Sequence, residues 1–141
     1  ARSFPVGKVD ELKAKLMNVT KECLLDGIDQ AKPGNSIGDI GHAIQKKAEL
    51  NGYSIVTELV GHGIGEKLHE DPQIPNFGKP GYGPKIEPGM CFAIEPMINM
   101  GTYEVLTKKD GWTIATKDGK PSAHFEHTIT ITENGAKILT L

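Results

Sequence analysis

A chain of 141 residues is long enough to bury the core of one domain. Its 38% hydrophobic and 24% charged content and its net charge of −2 describe an ordinary soluble protein, with no basic excess to favour nucleic acid or an anionic membrane. No apolar run approaches the roughly 20 residues needed to cross a bilayer. Taken in order, residues 2–6 have a strand-like pattern that ends at Gly7, and a first residue that is Ala rather than Met implies processing or fragmentation. Residues 9–28 carry Leu12, Leu16, Val19, Cys23 and Leu24 at helical spacing with Asp10 near the start, which predicts an amphipathic helix. Ala31-Lys32-Pro33-Gly34 interrupts the pattern. Asn35 or Ser36 then caps a second helix, 37–50, whose buried face is read as Ile40, Ala43, Ile44, Ala48 and Leu50 and which Asn51-Gly52 stops.

Beyond the helices the chain reads as β. Residues 53–57 form a strand, a Gly- and His-bearing stretch follows, and 75–83 is a Pro/Gly-rich connection. From Gly89 on, strands are predicted over 90–97, 103–107, 112–116 and 122–132, the last returning through Glu133-Asn134-Gly135 into 136–141. The fold class expected is α+β, two helices packed on antiparallel sheet. Period-2 alternation along 122–132 puts His124, Glu126, Thr128 and Thr130 on one face and Phe125, His127, Ile129 and Ile131 on the other. The two cysteines, Cys23 and Cys91, have neither metal-ligand nor redox spacing and read as buried thiols in a reducing compartment, with a cytoplasmic location expected.

Chemistry concentrates in three places. Gly61-His62-Gly63-Ile64-Gly65-Glu66-Lys67-Leu68-His69 places two histidines seven residues apart where three glycines disfavour a helix, so an irregular, closely folded backbone is expected to present them. Glu95 is the only charge in the apolar run 90–98, and Glu126 lies in an evident strand. A carboxylate in such a setting is costly to bury unless paired or bound to metal. One imidazole and two carboxylates suit Mn, Fe, Co or Zn, and carboxylates can bridge two ions some 3.5 to 4 Å apart that activate water for hydrolysis. His69 is then free for chemistry. Other classes fail on specifics: Gly65 is followed by Glu66-Lys67-Leu68 rather than a phosphate-loop Gly-Lys-Ser/Thr, no serine sits in an elbow motif, and no His-Glu-x-x-His occurs.

Gly61-His62-Gly63-Ile64-Gly65, His69-Glu70-Asp71-Pro72, Pro75-Asn76-Phe77-Gly78, the run 88–97 and Ser122-Ala123-His124-Phe125-Glu126-His127-Thr128 resemble type I methionine aminopeptidase in order and spacing. The resemblance covers the whole chain. It implies the pita-bread fold, a centre of two divalent ions (Co, Mn, Fe or Zn), and removal of the N-terminal methionine from nascent polypeptides. On that pattern His62, Glu95 and Glu126 match metal ligands, Glu126 bridging, and Glu95 and His69 are the catalytic residues. His69 matches the group that hydrogen-bonds the scissile amide and its oxyanion, and Leu68 and Trp112 fall where the family lines its methionine pocket.

The family takes two further aspartate ligands from its first half, before a segment like residues 1–7. Residues 1–141 are therefore expected to be the C-terminal part of an M24-type catalytic domain. Its N-terminal half is then a separate chain or absent, and without that half the site is depleted. Two other readings stand beside this one: a proline-specific pita-bread peptidase, against which the Pro-Asn-Phe-Gly segment argues, and a non-catalytic pita-bread protein that binds a partner or RNA.

Overall fold

The structure, a computed structural model, describes residues 1–140. Its elements are α1 (Glu11–Gln30), α2 (Ile37–Leu50), β1 (Ser54–Ile55), β2 (Gly61–Gly63), β3 (Glu70–Ile74), β4 (Cys91–Ile94), β5 (Met97–Asn99), β6 (Val105–Thr107), β7 (Ile114–Thr116), β8 (Ser122–His124), β9 (His127–Thr132) and β10 (Gly135–Ile138). Asp10 starts α1 by accepting from the amides of Leu12 and Lys13, two of the donors a helix N-terminus leaves unpaired. The Asp39 carboxylate reaches back to the Ser36 amide (2.7 Å) to start α2. Leu16, Val19, Cys23, Leu24 and Ile28 of α1 and Ile40, Ile44 and Ala48 of α2 are buried. A Cβ at Gly27 would meet the Ile44 side chain, so the two helices lie close together there. Leu12 and Leu50, expected in the buried face, are exposed: each sits at a helix end beyond the reach of the packed stripe.

All strand pairs are antiparallel. A five-stranded sheet runs β10-β9-β4-β2-β3, a three-stranded one β1-β5-β8, and β6-β7 stand apart as a hairpin. Phe92, Ile94 and Ile98 from 90–98 and Ile129 and Ile131 from β9 join the helical residues in one core.

Several predicted strands come out shorter. The strand over 53–57 is only β1, and residues 2–6 form no regular strand; instead Ser3 Oγ donates to the His124 carbonyl (2.9 Å) and accepts from its amide (3.2 Å). The expected single strands 90–97 and 122–132 are each split in two. Both breaks fall at the same level, Glu95-Pro96 on one side and Phe125-Glu126 on the other, and there the paired strands pass from the five-stranded sheet to the three-stranded one. The Glu126 amide leaves the ladder and bonds the Ala1 carbonyl (2.9 Å). Leu141 of the predicted last strand lies outside the described residues.

Candidate active site

Strand register brings the chemistry together. Ile94 pairs with His127 and Met97 with His124, so across the break Glu95 stands opposite Glu126. His62 pairs with Ala93 on the next strand, which puts its side chain on the same face as Glu95, one diagonal step away. His124 takes the corresponding diagonal step on the other side. Both imidazoles reach the same carboxylate: His62 Nε2 is 3.7 Å from Glu95 Oε1, and His124 Nε2 is 3.7 Å from Glu95 Oε2. The three-glycine stretch is thus not irregular throughout, because His62 lies in a central strand. Gly61 and Gly63 make that possible: a Cβ at either would strike a neighbouring carbonyl, of Ala93 and Asp71 respectively.

The His62 ring is fixed from two sides. Its Nδ1 lies 2.9 Å from the Gly63 carbonyl, which can only accept, so Nδ1 donates there and Nε2 is the nitrogen that faces Glu95. The His69 ring packs on it with centroids 3.9 Å apart. His69 comes from the irregular segment between β2 and β3, as expected. The Glu95 backbone is held by Asn76, a buried residue whose amide nitrogen donates to the Glu95 carbonyl (3.3 Å). Burial raises the Glu95 pKa, Glu126 adds to the rise, and His62 opposes it. Burial lowers the His124 pKa against the pull of Glu126. Glu126 Oε2 also lies 3.2 Å from the Ala1 nitrogen.

His62, Glu95, Glu126 and His69 therefore converge. Leu68 and Trp112 do not: their exposures are 69% and 87%, and the open cavity of about 680 Å³ beside His62 and His69 is lined by neither. The residue that sequence reasoning passed over as a site member is His124. Its signal was present in the alternation that set it on the Glu126 face.

Residues 1–133 match metallopeptidase family M24. The chain belongs to that family. It is 54% identical over its whole length to methionine aminopeptidase of Clostridium perfringens and 56% identical to methionine aminopeptidase A of Synechocystis, covering 57% and 56% of those proteins. The crystal structure of methionine aminopeptidase from Thermotoga maritima superposes with a TM-score of 0.96 at 51% identity, over 99% of this chain and 56% of that one. The M24 chain thus spans about half the length of the curated relatives it matches. The fold is the α+β pita-bread expected, and a Pyrococcus horikoshii prolidase shares it at 24% identity and a TM-score of 0.73, a likeness of fold alone.

The M24 family implies divalent metal ions, and the residues fit them. Two donors bound to one ion at about 2.1 Å each lie about 3 to 4 Å apart. Both imidazole–carboxylate separations fall in that range and are too long for hydrogen bonds. Moreover, His124 Nε2 is buried with no hydrogen-bond partner among the described residues, and Glu95, His124 and Glu126 offer ligand atoms all within 4.8 Å of one another. An N/O donor set of this kind selects borderline to hard cations.

Proposed function

We propose that the protein carrying this chain is a methionyl aminopeptidase, a dinuclear metallo-exopeptidase that removes the N-terminal methionine of nascent polypeptides, with residues 1–141 as the C-terminal part of its catalytic domain. The observation that carries the reading is Glu95 facing Glu126 across the strand break with His62 Nε2 3.7 Å from its carboxylate. His62, Glu95 and Glu126 would hold the ions, Co, Mn, Fe or Zn, Glu126 between them, and two aspartates from the protein's other half would complete their coordination. When bound, such ions lower the pKa of a water towards neutrality and so supply the hydrolytic nucleophile.

The residues of this chain do the rest. Glu95 has one oxygen towards each imidazole, and its backbone carbonyl accepts a hydrogen bond from Asn76. The His69 imidazole, packed against His62 and open to the cavity beside it, donates a hydrogen bond to the scissile carbonyl oxygen as negative charge develops there. Leu68 and Trp112 would close over the methionine side chain, an unbranched thioether suited to an apolar slot with flat or flexible walls.

The test is methionine release from a short peptide such as Met-Ala-Ser by the purified protein, stripped with a chelator and then given Mn or Co. Activity lost on stripping and regained with metal is expected. Cleavage only next to proline, or no release with any divalent ion, would overturn the reading.

A further inference from the structure

We propose that Asn76 is a positioning residue for Glu95: its side-chain amide donates to the Glu95 main-chain carbonyl and so sets the plane of the Glu95–Pro96 peptide, from which the carboxylate is aimed. This role rests on the reading of the cluster as a metal centre, and it is exerted through Glu95 rather than on the ions or the substrate. The strand break is what calls for such a partner. Ile94 still pairs with His127 and Met97 with His124, but Glu95 and Pro96 lie between the two sheets and belong to neither ladder. Pro96 has no amide to donate, and it keeps Glu95 in extended backbone. The direction of the Glu95 carbonyl is then set by a donor from outside the strands, and Asn76 Nδ2 reaches it at 3.3 Å.

Asn76 is built into the fold for this contact. Its exposure is 0%, so this chain alone encloses it, and any further chain packed around it leaves that unchanged. An aliphatic side chain would fill such a position at less cost, since a buried amide is tolerated only where it is hydrogen-bonded. The residue belongs to Pro75-Asn76-Phe77-Gly78, which leaves the end of β3 and which no ligand or pocket residue comes from. Helix α2 fixes that segment by close backbone approach. A Cβ at Gly41 would meet the carbonyls of Pro75 and Phe77, and one at Gly38 those of Lys79 and Tyr82. The Gly78 amide donates to Gln45 Oε1 (3.2 Å), and the Gly38 amide to the Tyr82 carbonyl (2.9 Å). One hydrogen bond thus ties Glu95 to a segment that a helix holds in place.

The test compares the wild-type protein with Asn76→Asp, which keeps the shape and loses the donor, and with Asn76→Ala, which loses the donor without adding a charge. Both variants are expected to bind Co(II) about tenfold more weakly in titration calorimetry, to show shifted visible bands when saturated with Co(II), and to lose about tenfold in kcat for a methionyl peptide with KM nearly unchanged. Circular dichroism checks the fold, and Asn76→Ala decides alone if the buried charge unfolds Asn76→Asp. A purely structural Asn76 would lower the unfolding midpoint and leave Co(II) affinity, visible bands and kcat at their wild-type values. That result overturns the inference while the metal reading stands. Failure of both variants to fold overturns it as well, because Asn76 would then serve the fold rather than Glu95. Wild-type protein that binds no Co(II) would remove the metal reading, and this inference with it.

Discussion

Glu126 and His69 separate ligation from chemistry. Glu126 faces Glu95 at the crossing and, on the proposed reading, would lie between the two ions, so Glu126→Ala is expected to abolish tight binding of at least one ion. Titration calorimetry giving wild-type stoichiometry and affinity would remove it from the centre. His69 touches the His62 ring but faces no carboxylate of the cluster. Its replacement by Ala should lower kcat by about 10² to 10³, the usual cost of one oxyanion donor, with metal content unchanged. Metal lost in step with activity would make His69 a ligand. A third residue, Cys23 of α1, contributes to the pH dependence of stability on the alkaline side. Burial first, and the nearby Asp26 next, push the Cys23 thiol from 9.0 up to about 12. The unfolded chain therefore releases this proton near pH 9 while the folded one keeps it. The stabilisation is whole below pH 9 and is lost progressively as pH rises to about 12, a span worth about 4 kcal/mol. Urea unfolding between pH 8 and 11 should show a shallower loss of stability in Cys23→Ala than in wild type; parallel slopes would mean that Cys23 does not titrate this way.

At the level of elements, the helices were legible because their caps and apolar spacing agree, and α2 has the predicted bounds. The strand breaks were not. Alternation continues through Phe125-Glu126 without a fault, and at the break the Glu126 amide bonds residue 1, a partner that no local pattern reveals. Pro96 did mark the matching break on the other strand, but a proline says only that pairing weakens, not that the chain changes sheets. Of the candidate site, Glu95 and Glu126 were readable as acids costly to bury in strand-like apolar runs, and His62 from the glycines around it. His124 was readable only as a neighbour, because its role depends on a register that no local pattern reveals. The tight passage of β2 between β3 and β4 is testable at Gly61, where any Cβ would strike the Ala93 carbonyl. Gly61→Ala should part β2 from β4, carry His62 off Glu95, and weaken metal binding by at least tenfold. Wild-type affinity in that variant would show that the sheet yields elsewhere.

For the whole molecule, the Glu95–Glu126 confrontation means that folding by itself brings two acids together in a part-buried corner, where burial and Glu126 raise the Glu95 pKa and a bound cation would offset the repulsion. The free concentration of the cation thereby becomes a variable of the folding equilibrium, like temperature or urea. Each tenfold increase in free metal above its dissociation constant adds about 1.4 kcal/mol per ion taken up on folding. The midpoint of thermal unfolding should rise steadily with the logarithm of free Co or Mn, and the slope counts the ions; a midpoint indifferent to metal would show that the corner is stable empty. A cell short of metal would then lose more than activity. Protein without its ions spends more time open, so limited proteolysis should clear it several-fold faster than the loaded form, and the amount of protein that survives should follow the supply of metal.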